Sequence, residues 1–529
     1  MRKHIQQQLN QLIETLCEGI QFIIEHDSDV RVDIFNNCVE GINTIINVLN
    51  EQKFGQQREE DYNSILQQVF SNMEILRIKL INEESVINEG KSVCLGLSEL
   101  YKEIQKEKVK LEIVFLPYKA SMWDSMESVW RAAASDDRCE CYVVPIPYYD
   151  KKPDGSLADM HYEGSKFPES IPIMDYNEYS LKNRHPDIIY IHNPYDEYNH
   201  VTSIHPYFYS YKIKNYTDML VYIPYCISGV FENNQRDIKA AMAPAMRYVD
   251  RIIAQNENQR QLLISAGCDK DKVIALGTPK LDSVYYMQEN PPHIWEDWNK
   301  VIKDRKVILL NLTLGTILQE EIWIDRYNYY INHIANRKEV AIIYRPHPLM
   351  EATLKSMRPH LYDKYMHFIE NISSRENVII DKFESADAAF WCSDAMISDY
   401  SSLPFKYIAT GKPVYLFMIN PKNYIMEENR FMESIKVFDF YDSYFWCLDK
   451  KLALEFKMKD VVGKYRCITR INSEHGIEYM EVDKFIDIVV QEKDFKKEER
   501  LNAMKNSVLN SDGTCGYKIN QYIVELVMK

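Results

Sequence analysis

Two segments in the second half of the sequence combine residues that could bind a phosphate group. In SDYSSLPFKYIATGKP (398–413), an apolar run ends and a helix is predicted to begin, with Asp399, Ser401 and Ser402 in the turn. Hydroxyl groups beside the unpaired N–H groups of a helix start favour an anion, and the positive end of the helix dipole adds to this. Ordinary N-capping by a serine explains the same pattern equally well.

The second segment is YRPHP (344–348), which ends the apolar run EVAIIY. The guanidinium of Arg345 can grip a phosphate with two parallel hydrogen bonds. The imidazole of His347 can donate a hydrogen bond to a phosphate oxygen or protonate a leaving group. The alternative is a surface arginine beside a histidine whose hydrogen bonds are satisfied within the fold.

A weaker signal comes from NLTLGT (311–316), which ends the run KVILLN. Thr313 and Thr316 are expected to line the same pocket, although a plain turn is an equally good interpretation. Together, the three segments predict one binding pocket for a diphosphate in the second half of the chain.

The first half offers a different set of groups. FLPYKASMWDSMESVW (115–130) leaves an apolar run and enters a predicted helix, and Lys119 and Asp124 are expected to face a cleft on the acceptor side. The loop PIPYYDKKPDGS (145–156) is rich in turn residues and could cover the acceptor.

A candidate general base lies in HNPYDEYN (192–199), which follows the run DIIYI. His192 stands close in sequence to Asp196 and Glu197, and a histidine beside carboxylates can take the proton of an acceptor hydroxyl. A structural histidine in a turn is the alternative. His205 is the second candidate for the same role.

The elements that must position these groups follow from the apolar pattern. Six short apolar runs between residues 111 and 276 and five between 306 and 417 alternate with helical segments, as in parallel sheets. A polar stretch with Pro291 and Pro292 separates the two series. This pattern predicts an α/β protein with two Rossmann-like lobes, in which ligands bind beyond the carboxyl ends of the strands. A single (β/α)₈ barrel is the structural alternative.

The first 116 residues contain no proline, and their apolar residues recur at offsets of three and four. This spacing predicts three or four amphipathic helices up to about residue 105, which pack on the body of the protein or on a second subunit. The predicted domains are a helical bundle (1–108), an acceptor-side lobe (109–290), a donor-side lobe (291–478) and C-terminal helices (479–529).

Composition excludes several classes of function. The formal net charge of −15 argues against nucleic acid as a partner. Eleven cysteines without CxxC spacing indicate a reducing compartment, and the polar start does not resemble a secretory signal. Without an apolar run of about 18 residues, a cytoplasmic protein is expected. No HExxH, GxGxxG or Walker A motif is present, which argues against a bound metal or a dinucleotide cofactor.

Three segments, YRPHP (344–348), GTPKLD (277–282) and SDYSSLPFKYIATGKPVYLF (398–417), resemble the CDP-glycerol glycerophosphotransferase family of teichoic-acid primases and polymerases. The resemblance spans roughly residues 111–450. It implies a GT-B fold, a CDP-glycerol donor, no required metal or other cofactor, and peripheral attachment to the cytoplasmic face of the membrane.

The family pattern also suggests roles for particular residues. It implies that His347, Ser401 and Ser402 hold the donor pyrophosphate, with Arg345 and Asp399 in support. Family polymerases carry a WHGTPLK-type motif whose histidine is the proposed base, whereas the comparable segment here reads VYIPYCISG (221–229) and has no histidine. Either His192 has taken over this role, or the acceptor differs, or the chain is not a standard polymerase.

The resulting hypothesis is transfer of glycerol phosphate, or a similar polyol phosphate, from CDP-glycerol to a hydroxyl of a lipid-linked or polyol-phosphate acceptor, with release of CMP. Peripheral contact with the membrane and oligomerisation through the N-terminal helices are compatible with it. The alternatives are a nucleotide-sugar glycosyltransferase, an enzyme like the UDP-sugar 2-epimerases, and a non-catalytic scaffold of the same fold.

Overall fold

The computed structural model describes the chain apart from residues 28, 53, 153, 228–241, 315–322, 400, 418–439, 443–481 and 495. The described residues form two compact units. The first contains Met1–Ile113 with the short pieces Ser135–Glu140 and His185–Asp187, and the second contains the remainder. Thr316, one of the expected pocket residues, lies outside the described residues.

The first unit is built from four long helices. They are α1 (Lys3–Glu25), α2 (Arg31–Glu51), α3 (Gln56–Ile81) and α4 (Ile87–Gln105). The apolar stripe of α1, which includes Leu9, Ile13 and Leu16, is buried in one core with the stripes of the other three helices. Helical spacing places these side chains on one face, and their burial holds the four helices together. The helical N-terminal region expected from the sequence is therefore present.

The first lobe contains a six-stranded sheet. Its strands are β1 (Leu111–Leu116), β2 (Cys139–Val143), β5 (Ile188–Ile191), β7 (Met219–Tyr222), β8 (Arg251–Ala254) and β9 (Val273–Ala275). The strand order is β2-β1-β5-β7-β8-β9, and the pairs from β5 to β9 are parallel. The order reverses between β1 and β5, so the loops after these two strands meet at a topological switch point.

Short helices connect the strands of this lobe. They are α5 (Glu127–Ala134), α6 (Leu181–Arg184), α7 (Ser210–Ile213), α8 (Glu257–Ser265) and α9 (Asp282–Glu289). A separate antiparallel sheet in the order β4-β3-β6 contains β3 (Tyr148–Lys151), β4 (Leu157–His161) and β6 (Thr202–Ile204). Part of the segment 145–156 is therefore strand, where the sequence predicted only a loop.

The second lobe contains another six-stranded sheet. Its strands are β10 (Lys306–Leu312), β11 (Val340–Pro346), β12 (Val378–Ile380), β13 (Ala395–Ser398), β14 (Val414–Phe417) and β15 (Phe440–Asp442). All its pairs are parallel, in the order β12-β11-β10-β13-β14-β15. This is the order of a Rossmann fold, and its switch point lies between β10 and β13.

The remaining described helices follow in the second half of the chain. They are α10 (Glu296–Ile302), α11 (Trp323–Ala335), α12 (Met350–Met357), α13 (Tyr362–Ser373), α14 (Asp387–Cys392), α15 (Ser402–Ile408), α16 (Val482–Val490), α17 (Lys497–Ser507) and α18 (Cys515–Met528). The last of them, α18, packs against α5 of the first lobe. Among the helices that the structure describes, none is long and apolar enough to cross a membrane.

Two parallel sheets in succession confirm the fold class expected from the sequence: α/β, of the GT-B type, with two Rossmann-like lobes and a helical N-terminal region. Each apolar run that was predicted as a strand contains one, because a continuous run of branched apolar residues is buried on both faces of a parallel sheet. The strands of the described residues form two separate six-stranded sheets with a Rossmann-type order in the second, which is not the arrangement of a single (β/α)₈ barrel.

Candidate functional site

A cavity of about 420 Å³ is lined by residues of both Rossmann-like lobes of the second unit. Among its lining residues are seven of the predicted site residues: Lys119, Asp124, Thr313, Arg345, His347, Ser401 and Ser402. The structure does not bring Asp399, His192, Asp196 or Glu197 to its wall. The cavity therefore joins the predicted donor residues to two residues from the predicted acceptor side.

The sheet topology explains this convergence. Lys119 and Asp124 follow β1 at the switch point of the first sheet, and Thr313 and Ser401 follow β10 and β13 at the switch point of the second. His347 follows β11, which pairs with β10 in register. Because parallel strands end at the same edge of a sheet, groups that are far apart in sequence meet beyond that edge.

His347 presents a hydrogen-bond donor to the cavity. Its Nδ1 accepts a hydrogen bond of 3.1 Å from the N–H of Leu349, so the proton of the neutral ring is on Nε2. Burial, and then the charges of Arg345 and Lys119, lower the pKa of His347 to about 4. The ring is therefore neutral at physiological pH when the cavity is empty.

Ser401 supplies a buried hydroxyl that has no hydrogen-bond partner in the described structure. The residue is the N-cap of α15, but its side chain makes no capping hydrogen bond. A buried hydroxyl without a partner is costly, so its retention at a cavity wall indicates a ligand. Ser402 begins the helix and lines the same wall.

Asp399 holds Thr313 and does not face the cavity. Its Oδ2 accepts hydrogen bonds from the N–H and the hydroxyl of Thr313, at 3.1 and 2.5 Å. Because the hydroxyl proton of Thr313 is donated to this carboxylate, the threonine presents an acceptor and not a donor to the cavity while that bond is kept. Asp399 therefore acts on the site through Thr313.

Arg345 is engaged by the loop after β12. Its Nη1 donates to Asp381 at 2.5 Å and to the carbonyl of Phe383 at 3.0 Å, and its Nη2 donates to the carbonyl of Glu384 at 2.9 Å. These three bonds use three of the five N–H donors of the guanidinium, so only the Nε–H and one Nη2–H are left for the bidentate grip on a phosphate that the sequence suggested. In the described structure, Arg345 orders the loop that forms one wall of the cavity.

The strongest cationic feature is a group of three residues that sequence reasoning did not single out as a unit. The carboxylate of Asp124 accepts a hydrogen bond from the ammonium of Lys280 and another, of 2.7 Å, from that of Lys406. Burial raises the pKa of Asp124, but the two ammonium groups outweigh burial and hold it at about 2. These three residues carry a net positive charge at the cavity wall, which the carboxylate of Asp387, 3.6 Å from the ammonium of Lys406, offsets in part. Each ammonium keeps further N–H donors.

A sequence signal for both lysines existed. Lys280 lies in GTPKLD and Lys406 lies in the helix that begins with Ser402, one turn after that serine. Positions i and i+4 of a helix share a face, so a phosphate site on Ser402 already favours a role for Lys406.

Lys119 is buried among aromatic and acidic groups. Its Nζ lies 3.9 Å from the centroid of the Tyr148 ring and 3.8 Å from Oε1 of Glu163. Burial lowers the pKa of Lys119, and the charge of Glu163 acts in the opposite direction. The side chain lines the cavity, so an anion there would have this ammonium as a neighbour.

His192 is a structural histidine in this protein. Its Nε2 accepts a hydrogen bond of 3.2 Å from the N–H of Tyr118, and its Nδ1 lies 3.1 Å from the hydroxyl of Ser125. That hydroxyl donates its own proton to the carbonyl of Met122, so its oxygen accepts from Nδ1. Burial, and then the charge of Lys280, lower the pKa of His192 to about 3. The ring does not line the cavity, so His192 is not placed to take a proton from a substrate there.

The two carboxylates near His192 in sequence are also placed away from the cavity. Asp196 is buried and accepts hydrogen bonds from the N–H and the hydroxyl of Ser210, at 3.0 and 2.5 Å, at the start of α7. Glu197 accepts a hydrogen bond from the ammonium of Lys151 with its backbone carbonyl. Asp196 and Glu197 are therefore close to His192 in the sequence, but they do not line the cavity where a substrate would bind.

Tyr225 occupies the cavity wall after β7, in the segment that carries no histidine. Burial raises its pKa far above the ordinary value, so the phenol keeps its proton. This side chain can donate a hydrogen bond but does not act as a base at neutral pH.

Part of the chain matches a known protein family. Residues 228–438 match the family model described as CDP-Glycerol:Poly(glycerophosphate) glycerophosphotransferase. The resemblance seen in the sequence is confirmed at the family level. The matched region includes Lys280, Arg345, His347, Ser401 and Lys406 of the cavity.

Two curated relatives are teichoic-acid enzymes. The chain is 23% identical over 267 residues to the teichoic acid poly(ribitol-phosphate) polymerase of Bacillus spizizenii, covering 48% of this chain and 37% of that protein. It is 23% identical over 198 residues to the teichoic acid ribitol-phosphate polymerase TarL of Staphylococcus aureus, covering 36% and 31%. The chain thus spans about a third of the length of the curated relatives it matches.

Solved structures resemble the fold at low similarity. A putative UDP-N-acetylglucosamine 2-epimerase from Listeria monocytogenes shares 13% identity, with a TM-score of 0.44, and covers 78% of this chain and 96% of its own. The wall teichoic acid polymerase TagF shares 16% identity, with a TM-score of 0.41, and covers 87% and 97%.

Proposed function

We propose that the protein transfers a polyol phosphate from a CDP-linked donor, CDP-glycerol or a close analogue, to a hydroxyl acceptor and releases CMP. One observation carries this proposal: the unpartnered hydroxyl of Ser401, the ring of His347 and the lysines around Asp124 all line one cavity. Hydroxyl, N–H and ammonium donors around a cavity are the complement of a diphosphate.

The family match and the names of the relatives support a polyol phosphate as the transferred group. The family description specifies glycerophosphate, whereas both relatives are named for ribitol phosphate. The cavity volume and its lining do not favour one polyol over the other. The product, by the same names, belongs to the teichoic-acid class of polymers.

In the proposed donor complex, the diphosphate lies against Ser401 and Ser402, with His347 and the ammonium groups of Lys280 and Lys406 around it. The negative charge of the diphosphate would offset the cations that depress the pKa of His347 and would therefore raise it. His347 could then share its Nε2 proton with the oxygen that leaves with CMP.

The chemical step is a displacement at phosphorus. The acceptor oxygen loses its proton to a base and forms a bond to the β-phosphorus, while the bond from that phosphorus to the bridging oxygen breaks. CMP leaves with the bridging oxygen and its electron pair. Lysines and the His347 N–H stabilise the charge that develops on this leaving group, a contribution that is often the largest in such sites.

Location and cofactor requirement are further parts of the proposal. We propose a reaction at the cytoplasmic face of a membrane, reached by peripheral contact, as the family resemblance implies. We also propose that no metal ion is needed, since the cavity supplies its own cations. Chelation with EDTA should leave CMP release unchanged, and a loss that Mg²⁺ restores would contradict this part.

A donor panel tests the proposal directly. The full chain is mixed with CDP-glycerol, CDP-ribitol, UDP-N-acetylglucosamine or CDP alone, and its melting temperature is measured. A ligand at 100 times its Kd stabilises the folded state by about 2.7 kcal/mol, which gives a clear shift. CDP-polyols should raise the melting temperature most, and CMP should then appear when a polyol-phosphate oligomer is added.

The outcomes separate the alternatives. A preference for UDP-N-acetylglucosamine, with conversion of the free nucleotide sugar, would favour an enzyme like the 2-epimerases. Binding of a CDP-polyol without release of CMP to any polyol or lipid-linked acceptor would favour a non-catalytic scaffold. Either result overturns the proposed transferase activity.

A further inference from the structure

A second cavity of about 410 Å³ adjoins the first and shares part of its wall. Lys119, Lys166, Arg345 and His347 line both cavities. The second cavity is also lined by Asp150, His161 and Glu163 of the first lobe and by Glu351 and Asp381 of the second. A molecule in the second cavity would therefore lie beside whatever group His347 contacts in the first.

A histidine–carboxylate pair stands in the wall of this second cavity. The Nε2 of His161 lies 2.7 Å from Oδ2 of Asp150, and both side chains are partly exposed. The ring of His161 stacks on that of Tyr148, with centroids 5.2 Å apart. The pair is thus fixed in orientation by one hydrogen bond and one ring contact, yet it is open to a ligand.

The small antiparallel sheet creates this pair. His161 in β4 stands directly opposite Tyr148 in β3, and Asp150 lies two residues beyond Tyr148 on the same strand. Residues two apart on a strand share a face, so Asp150 and His161 are diagonal neighbours across the pair of strands. The register shifts between Tyr149 and Lys151, and such irregularities often redirect a side chain at functional sites.

The hydrogen bond fixes which ring nitrogen can act. A carboxylate accepts, so Nε2 of the neutral imidazole carries the proton and Nδ1 holds the lone pair. A base whose second nitrogen is oriented by a carboxylate is the arrangement that activates hydroxyl nucleophiles in many enzymes. Neither His192, which is buried away from both cavities, nor Tyr225, which keeps its proton, offers this chemistry.

The charge balance of the two cavities indicates what each receives. The group of Lys280, Asp124 and Lys406 gives the first cavity a net positive patch. The second cavity lacks Lys280, Asp124 and Lys406, and its lining has five acidic residues against four basic ones: Asp150, Glu163, Glu351, Asp381 and Glu384 against Lys119, Lys166, Arg345 and Lys382. Carboxylates repel a diphosphate and accept hydrogen bonds from hydroxyl groups, so the second cavity suits the hydroxyl-rich end of a polyol.

We propose that the second cavity binds the hydroxyl end of the acceptor and that His161, oriented by Asp150, is the general base of the transfer. The inference rests on the proposed function. The proton of the acceptor hydroxyl passes to Nδ1 of His161, its oxygen bonds to the β-phosphorus, and CMP leaves with the bridging oxygen.

The test compares four variants of the full chain: His161→Gln, His161→Ala, Asp150→Asn and the control His205→Gln. His205 follows β6 of the same small sheet, and its Nδ1 accepts from the N–H of Tyr207. It lines neither cavity, so the structure does not support the base role that the sequence also offered for it. Each variant is assayed for single-turnover CMP release with saturating CDP-polyol and a polyol-phosphate oligomer, and for donor binding by melting temperature.

Loss of a general base typically lowers the rate by about 10²–10⁴-fold, and we expect this range for His161→Gln. Asp150→Asn should lose at least about tenfold, because the ring loses its oriented tautomer. Donor binding should be unchanged in both, and His205→Gln should react at the wild-type rate. Added imidazole should restore part of the CMP release in His161→Ala, a result that a merely structural role would not give.

Near-normal CMP release by His161→Gln, from a wild-type protein that is active, would overturn the inference and leave the proposed function intact. An equal loss in His205→Gln, or a loss of donor binding in His161→Gln, would overturn it as well. If the wild-type protein releases no CMP with any donor, the proposed function fails first and the inference falls with it.

Discussion

The ammonium of Lys406 in the second lobe donates a hydrogen bond of 2.7 Å to the carboxylate of Asp124 in the first lobe, 282 residues earlier in the chain. Lys280 donates to the same carboxylate. This arrangement ties the two Rossmann-like lobes together at the wall of the donor cavity. It also keeps two cations side by side where a diphosphate is proposed to bind.

Asp124→Asn should destabilise the protein, because the buried ammonium of Lys280 would lose its carboxylate partner and that of Lys406 would keep only Asp387, at 3.6 Å. Removing one partner of a buried ion pair typically costs about 3–5 kcal/mol. Urea denaturation gives the change in the free energy of unfolding. The double variant Asp124→Asn with Lys406→Met should lose less than the sum of the two single changes, and strict additivity would show that the two groups are not coupled.

Ser401→Ala should weaken donor binding without reducing stability. The hydroxyl has no hydrogen-bond partner in the described structure, so its removal relieves a buried polar group and leaves no other group unpaired. Ser393→Ala is the matched control, because the Ser393 hydroxyl is buried and bonds to that of Tyr407 at 2.9 Å.

The two serine variants should therefore behave in opposite ways. Ser393→Ala should lower the melting temperature and keep the shift that a CDP-polyol produces. Ser401→Ala should keep the melting temperature and lose part of that shift. If the Ser401→Ala protein is destabilised but binds the donor normally, the hydroxyl stabilises the fold and does not bind the donor.

His347→Ala should lower CMP release by on the order of 100-fold, because the leaving group would lose a preorganised N–H donor. His347→Gln keeps an N–H donor but cannot transfer a proton, so it should retain more donor binding than alanine while remaining slow. His367→Ala, at an exposed position of α13, should be as active as the wild type. Equal rates for His347→Ala and the wild type would remove His347 from the mechanism.

His192 should make the folded state sensitive to acid. Its pKa is about 3 in the folded protein and near 6.5 in the unfolded chain, so the unfolded chain binds more protons between these values. The free energy of unfolding therefore rises with pH in this window, and stability is lost as the pH falls below about 6.5. Between pH 7 and pH 5 this one residue should remove about 2 kcal/mol of stability.

The measurement is urea denaturation of the wild type and of His192→Gln at the two pH values. The variant should be less stable at pH 7, because it alters the hydrogen bonds to Tyr118 and Ser125, but its stability should change less with pH. Parallel pH dependences in the two proteins would contradict the shifted pKa.

Several features could be read from residue types alone because they depend on local pattern. Apolar runs marked the strands, and the rule that ligands bind at the carboxyl ends of parallel strands singled out Lys119, Thr313, His347 and Ser401, which line one cavity in the structure. The sequence pattern did not predict the short polar strands β3 and β4, because most of their residues are only partly buried and form no continuous apolar run. The pair of Asp150 and His161 was missed for the same reason.

Local residue order is enough to locate the apolar strands and the loops that follow them, because it encodes strand burial and chain direction. Which side chains in those loops face the cavity depends on how distant parts of the chain pack. His192 follows a central strand and is sealed by Tyr118 and Ser125, whereas Lys406 reaches Asp124 across 282 residues. Such contacts depend on how distant segments pack against each other. The residue order of one segment does not reveal which side chain of another segment it will contact.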